Sequence, residues 1–557
     1  MFQRWVAGAS VTDQNAIPWR LPVVALPDRA AARHWIRAHA ETLWIVGILV
    51  VAALAHGINM LHFPYYETDE GTYMAQAWAI IHEGQLAPYT YWYDHAPLGW
   101  IQIAIWSVVT GGFYTFGTPV DSGRVLMLLM QLASTLMVYR IGRKVSGSVL
   151  AASIAALSFA LSAYGIYYHR RVLLDNICAF WMLLSILVVA EERVSLKRVW
   201  LSGVALGFSM LSKELTAFLV PVLAYLVYDR ANRSQRGFAT LGWLAIAGSI
   251  VSAYFLMAIL RGELFPTGTL LGGTSPHVSL LGSLQTQAAR GKDGGLFDLH
   301  SGFWSATRQW AHAEPFLVVV GGISAILSCF AFRRDRLMAL LGLATLSLVA
   351  FLARGGIVIG FYLVPLLPLL ALNAGLVINA VVRRAIAPLK SWGQIGFALG
   401  RASQILVGAC CLALLLPGYD NPQLGFQSDH FVLWNNSQAD AQQQSVQWVL
   451  QHVPANSPII IDDYMWIDLH DPANGAKGFP YAEWHWKVDL DPAIQKGVFH
   501  DNWRTADYVV TTPQMLSDMH VGDLKLVTAA VQHSTVIAHF DTGGWPIDVR
   551  RVNKSAG

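Results

Sequence analysis

Asp69 and Glu70, within YYETDEGTYMAQAW, are adjacent acids just past an apolar segment in a chain with few charges. Such a pair can cap a helix, bind a metal, or take a proton from a substrate hydroxyl. Four other stretches break the apolar background. They are YWYDHAPLGW with Asp94 and His95, HRRVLLDN with Arg170, Arg171 and Asp175, SKE with Lys213 and Glu214, and ARGG with Arg354. Cations (Arg170, Arg171, Lys213, Arg354) beside carboxylates (Asp69, Glu70, Asp175) suit transfer of a group from a lipid phosphate. The cations stabilise charge on the departing phosphate. A carboxylate takes the proton of the attacking hydroxyl. The stretch around the first acids is rich in Tyr and Trp, as sugar and membrane-interface sites are. Tyr66, Tyr93, Asp94, Glu214 and Tyr362 are the substrate-binding candidates.

These residues need elements to hold them. The 557 residues are 54% hydrophobic and 13% charged, against about 25% charged in soluble domains. With long apolar runs, this reads as a polytopic helical membrane protein. A net charge of +3 without a basic stripe argues against nucleic acid. All four cysteines lie in apolar segments, so no disulfide framework is indicated. The first long apolar run begins near Leu43, too late for a cleavable signal peptide.

Spans are expected near 43–62, 124–141, 148–168, 173–190, 238–260, 315–332, 337–353, 359–382 and 402–417. Positive clusters flank Val199–Tyr228 at both ends, so that segment enters and returns, with Lys213–Glu214 at its tip. Counting this hairpin as two gives about eleven helices. The same rule sets the N-terminus in the cytoplasm and the loop 63–123 outside. The polar stretches then converge on the outer face, where ionisable groups face a cavity or one another.

Residues 1–42 read as a cytoplasmic segment with an interfacial helix, 43–417 as the membrane domain, and 418–557 as an extracytoplasmic α/β domain. The outer loop 261–314 is a candidate cover. IDDYMWID at 461–468 reads as a strand end, with Tyr464 and Trp466 serving acceptor binding or packing.

Each candidate also has a purely structural reading. Thr68 or Asp69 can cap a helix starting at Gly71. His95 and Pro97 can open a helix. Asp175 can pair with Arg170 or Arg171. Lys213 and Glu214 can form an ion pair that locks the hairpin. Arg354 can be a plain residue at a span end.

TDEGTYMAQAW, YDHAPLGW, HRRVLLDN, GFSMLSKELTAFLVP and GFYLVPLLPLLAL, in this order over roughly residues 43–380, resemble the GT-C glycosyltransferases that use polyprenyl-phosphate sugars. That group includes protein O-mannosyltransferases and the aminoarabinose transferases that modify lipid A. The resemblance implies an inverting transferase of a bacterial-type inner membrane. Its partners would be a polyprenyl-phosphate-linked sugar, membrane lipids, and a glycolipid, polysaccharide or protein acceptor. It implies Asp69 as general base with Glu70 in support, Asp175 as second carboxylate, and Lys213 and Arg354 on the donor phosphate. The family's Lys-Pro-Pro-Leu is His95-Ala96-Pro97-Leu98 here, which implies His95 as a phosphate contact. Some members bind Mg or Mn, so Asp69 and Glu70 are also metal candidates. The alternatives are a transporter or flippase of lipid-linked sugars, which would show related halves, and a lipid-diphosphate-dependent glycan ligase.

Overall fold

The computed structural model describes residues 29–91, 93–266, 279–289, 294–415, 420–421, 426–427, 430–471 and 478–555. Most of the expected cytoplasmic segment 1–42 and parts of the loop 261–314 lie outside the described residues. The chain divides into two compact units, Met1–Val46 and Gly47–Gly557, and every site residue belongs to the second.

The membrane-type core runs α1 (Arg29–Gly57), α2 (Thr68–His82), α3 (Leu98–Thr110), α4 (Pro119–Ser146), α5 (Val149–Leu161), α6 (Ala163–His169), α7 (Leu174–Val189) and α8 (Leu196–Ser212). It continues with α9 (Val220–Arg230), α10 (Arg236–Leu260), α11 (Leu280–Ala289), α12 (Gly302–Ala313), α13 (Gly322–Cys329), α14 (Arg336–Leu352), α15 (Leu367–Ile386) and α16 (Gly393–Ala413). Among the described residues, five helical segments are long and apolar enough to cross a membrane. The number is seven if two sharply bent pairs, α5 with α6 and the helices either side of Glu314, each count as one span. The remaining expected spans are short: α7 and α14 have 16 and 17 residues. Among the described residues, five to seven segments thus have the length of a full span, against about eleven expected helices with the two hairpin arms counted.

Lipid tails give no hydrophobic drive between helices, so close packing and hydroxyl bonds hold them. Ser185 and Ser202 each donate to the other's carbonyl at 3.0 Å, tying α7 to α8. Trp243 of α10 donates to the Ser202 hydroxyl at 3.1 Å. A Cβ at Gly375 of α15 would lie 2.5 Å from the Ala151 carbonyl, so only glycine lets α15 approach α5 this closely.

The 199–228 segment folds back on itself as a helical hairpin. Val194 donates to the Arg230 carbonyl at 3.1 Å, closing the hairpin at its base. The positive clusters gather at that same end. Lys144 and Arg198 both pair with Glu191, and Arg336 and Arg230 both pair with Asp229. Lys213 ends α8 at the far tip, in extended backbone with φ −157°.

Beyond the core lie two-residue strands β1 (Asp420–Asn421) and β2 (Phe426–Gln427), then α17 (His430–Asn435) and α18 (Gln438–His452). A five-stranded sheet follows from β3 (Ile459–Ile461), β4 (Ala482–Trp484), β5 (Tyr508–Thr511), β6 (Ser534–Thr542) and β7 (Trp545–Val552). Its order is β4-β3-β5-β7-β6, with β3 parallel to both neighbours and β7 antiparallel to β5 and β6. Helices between β3, β4 and β5 supply the crossovers that parallel pairs require. Ile460, Val509 and Val552 from the sheet pack in a buried core with Met515 and Val527 from the two helices that follow β5, Pro513–Gly522 and Lys525–Gln532.

Candidate active site

The start of α2 is fixed by its own acids. The Glu67 amide donates to Glu70 Oε2 at 3.0 Å, so the helix begins at Thr68 rather than Gly71. Asp69 thus sits in the first turn, half-buried, with its carboxylate 3.4 Å from the Tyr73 hydroxyl. Burial raises its pKa above the ordinary carboxylate value, with Lys213 and His95 pulling it down and Asp175 pushing it up. Those three residues are therefore its electrostatic neighbours.

Lys213 Nζ lies 2.5 Å from Asp175 Oδ2, and both side chains are buried. The hairpin lysine pairs with Asp175 rather than with Glu214, and Asp175 pairs with Lys213 rather than with Arg170 or Arg171. The ammonium also lies 4.9 Å from the Phe361 ring centre and 5.1 Å from that of Tyr362. A lysine has three donors, and aromatic faces stabilise its charge without using them.

His95 stands beside this group. Glu214 accepts from the Ala96 amide at 2.7 Å and lies 3.3 Å from His95 Nδ1. The hydroxyls of Tyr91 and Tyr254 both donate to the His95 carbonyl, at 2.7 and 3.0 Å. Gly99, in the first turn of α3, sits against Leu174 and the Ser212 carbonyl, so this turn rests on the ends of α7 and α8. Burial opposes charge on His95, but Glu214 more than offsets it and raises the imidazole pKa. Asp69, Asp175, Lys213, His95 and Glu214 thus form one group at the hairpin tip. Arg354 is exposed at the end of α14, its guanidinium 3.8 Å above the Phe351 ring.

Other candidates are spoken for. Glu70 is fully buried and accepts from Arg124 Nε and Nη2 at 2.9 and 2.8 Å and from the Val172 amide at 2.9 Å. Its carboxylate closes the joint between α2 and α4, which corrects its reading as a catalytic partner. With Glu70 held by Arg124 and the Val172 amide, the two adjacent acids do not fit a shared Mg or Mn. Among the described residues, no group of three or more His, Cys, Asp or Glu is placed to hold a metal.

Arg170 donates to the carbonyls of Ala55, His56, Ile58, Phe63 and Leu433 at 2.6–3.2 Å. It satisfies carbonyls at the end of α1 that the helix leaves open, and has no donor to spare for a phosphate. Arg171 pairs with Glu67 at 2.5 Å and lies 4.4 Å from the ring centres of Tyr65 and Tyr167. Both arginines are thus engaged with the protein's own framework in this structure. Tyr93 is buried and donates to Glu263 at 2.6 Å, which also makes it framework. Asp94 is exposed. Tyr66 lies away from the group, donating to Asp121 at 2.8 Å.

The fold has known counterparts. A family model described as dolichyl-phosphate-mannose-protein mannosyltransferase matches residues 96–256. No curated protein sequence matches. The crystal structure of ArnT from Cupriavidus metallidurans bound to undecaprenyl phosphate superposes with a TM-score of 0.57 at 13% identity, covering 93% of this chain and 99% of that one. The apo oligosaccharyltransferase of Archaeoglobus fulgidus gives 0.50 at 13% identity, over 89% of this chain and 73% of that one. This chain has the GT-C glycosyltransferase fold.

On the GT-C core, the C-terminal segment packs against α2, directly behind Asp69. IDDYMWID is not a strand end beyond Ile461. Asp463–Met465 form a 3-10 turn lying on the first turns of α2. Asp462 accepts from the Thr68 hydroxyl at 3.1 Å and from Thr512 at 2.7 Å, and Thr72 donates to Asp463. Burial raises the Asp463 pKa to about 8. A Cβ on Gly71 would lie 2.3 Å from the Asp463 carbonyl carbon, so α2 needs glycine at the crossing. The doubled acid within an aromatic run was the signal for this contact. Nothing local told which part of the chain it would meet.

Proposed function

We propose that the chain is an integral-membrane glycosyltransferase that takes a sugar from a polyprenyl phosphate and passes it to an acceptor hydroxyl or phosphate. The GT-C fold, and the undecaprenyl phosphate named for the similar ArnT structure, support a lipid-phosphate donor. The observation that carries the reading is the Lys213–Asp175 pair beside the half-open Asp69.

In this reaction the acceptor oxygen attacks the anomeric carbon as the bond to the phosphate oxygen breaks, so the configuration inverts. Asp69 accepts the acceptor's proton. The phosphate leaves with its electron pair, and Lys213 and protonated His95 stabilise the charge. Asp175 holds Lys213 in place and Glu214 holds His95. Arg354 meets the phosphate from the exposed side, and Tyr362 packs along the donor. Positive clusters favour the cytoplasm, so the hairpin base faces in and the site faces the outer side of a bacterial-type inner membrane. The acceptor is a glycolipid, cell-envelope polysaccharide or protein.

The test uses wild type and Asp69→Asn in nanodiscs, with labelled polyprenyl-phosphate sugars and a membrane extract as acceptor source. General-base loss lowers transfer by about 10²–10⁴-fold while donor binding persists. Equal transfer by the two proteins refutes the assignment of Asp69.

A further inference from the structure

A second concavity lies apart from the Lys213 group. It is a groove of about 610 Å³ between α18, the lead-in to α2, the start of α4 and the 464–468 turn. That size falls in the usual range of ligand sites, roughly 300–1,000 Å³. Gln443, Gln447 and Gln451 line it at four-residue intervals, so α18 turns one amide-rich face into it. Trp448, Tyr464 and Phe540 supply ring faces along the same groove.

Amide side chains carry both donors and acceptors, and this matches ligands whose hydroxyls do the same. Aromatic faces pack against the C–H faces of a pyranose. Gln443 is already oriented, donating to the Tyr66 hydroxyl at 2.5 Å, which in turn donates to Asp121. Among the described residues no lysine or arginine lines the groove. Its one histidine, His62, lies 2.6 Å from Asp440. Burial raises the Asp468 carboxyl to about 8. Among the described residues the lining is mostly amide and aromatic, without a lysine or arginine, which suits an uncharged polyol better than a phosphate.

We propose that this groove binds the neutral saccharide part of the acceptor, holding its chain while a terminal group reaches Asp69. The proposal rests on the transferase reading and adds the chemical class of its acceptor. Tyr66 lines the groove and lies three residues before the base in sequence.

The test is ligand-observed NMR on the full chain in nanodiscs, which lack sugar headgroups. The probes are neutral trisaccharides of mannose, glucose, galactose and N-acetylglucosamine, with inorganic phosphate in a separate arm. At least one trisaccharide should bind wild type, and phosphate should not displace it. Gln447→Ala with Gln451→Ala, both at exposed positions, should weaken that binding at least about tenfold, as loss of two hydrogen bonds implies. Trp448→Phe should retain more of it than Trp448→Ala. No trisaccharide binding, or binding unchanged in the double variant, overturns the proposal. Asp69→Asn should bind the trisaccharide as wild type does. If Asp69→Asn also still transfers sugar, the base assignment fails while the groove stands.

Discussion

Gly71→Ala is the sharpest probe of how the site is held. A Cβ there would lie 2.3 Å from the Asp463 carbonyl carbon, 2.4 Å from the Tyr464 nitrogen and 2.5 Å from the Asp463 oxygen. All three are backbone atoms, so no rotamer change relieves the contact. Carbon contacts settle near about 3.5–4.0 Å, so α2 and the 3-10 turn must part by roughly 1 Å. Overpacking of this kind costs about 1–3 kcal/mol. The Thr68–Asp462 and Thr72–Asp463 hydrogen bonds span the same joint, and losing them costs about 0.5–1.5 kcal/mol each. The expected destabilisation is therefore about 2–6 kcal/mol. Asp69 lies two residues away, and a misplacement of about 1 Å costs on the order of 10²-fold in rate. Thermal unfolding and sugar transfer of Gly71→Ala should both fall well below wild type. Gly248→Ala is the control, because a Cβ there meets nothing within 4 Å. A Gly71→Ala protein with wild-type Tm and transfer refutes the claim that this crossing positions the site.

Glu70→Gln leaves Arg124 buried with its charge unpaired, which costs about 3–5 kcal/mol, so a lower Tm should accompany any loss of transfer. Lost transfer at unchanged Tm would instead restore a catalytic role to Glu70. The pH profile of kcat/KM should be a bell with both limbs displaced upward. Asp69 must be deprotonated, so activity falls as pH drops through its pKa, which burial raises above the ordinary carboxylate value. His95 must be protonated, so activity falls as pH climbs through its pKa, which Glu214 raises against the effect of burial. His95→Gln should lose the alkaline limb, and a wild-type profile without that limb contradicts the role of His95.

Much of the membrane core was legible because its signals are local. Apolar runs and positive clusters marked the helices, and the charges at both ends of 199–228 gave the hairpin. Apolar runs did not fix helix length, since α7 and α14 are apolar but short. Within the site, residue type indicated charge but not partner. Lys213 is next to Glu214 in sequence, yet its carboxylate is Asp175, brought in by the packing of α7 on α8. Arg170 and Arg171 had the right chemistry for a phosphate, but backbone carbonyls and Glu67 use them. Such competition is invisible until distant segments meet. The same holds for Glu70, whose partner Arg124 is 54 residues away.

The joint between α2 and the 462–463 turn also sets an order of events in synthesis. The Thr68 hydroxyl waits for a carboxylate 394 residues further along the chain. At about 5–20 residues per second, the segment carrying Asp69 spends roughly 20–80 s without that contact. It has by then been made and left the ribosome, while the groove of α18 does not yet exist. A truncated or stalled chain would carry the donor-side cations but no finished setting for the base. Until the C-terminal segment is complete, the first turns of α2 lack the Thr68–Asp462 and Thr72–Asp463 hydrogen bonds and the backbone crossing at Gly71.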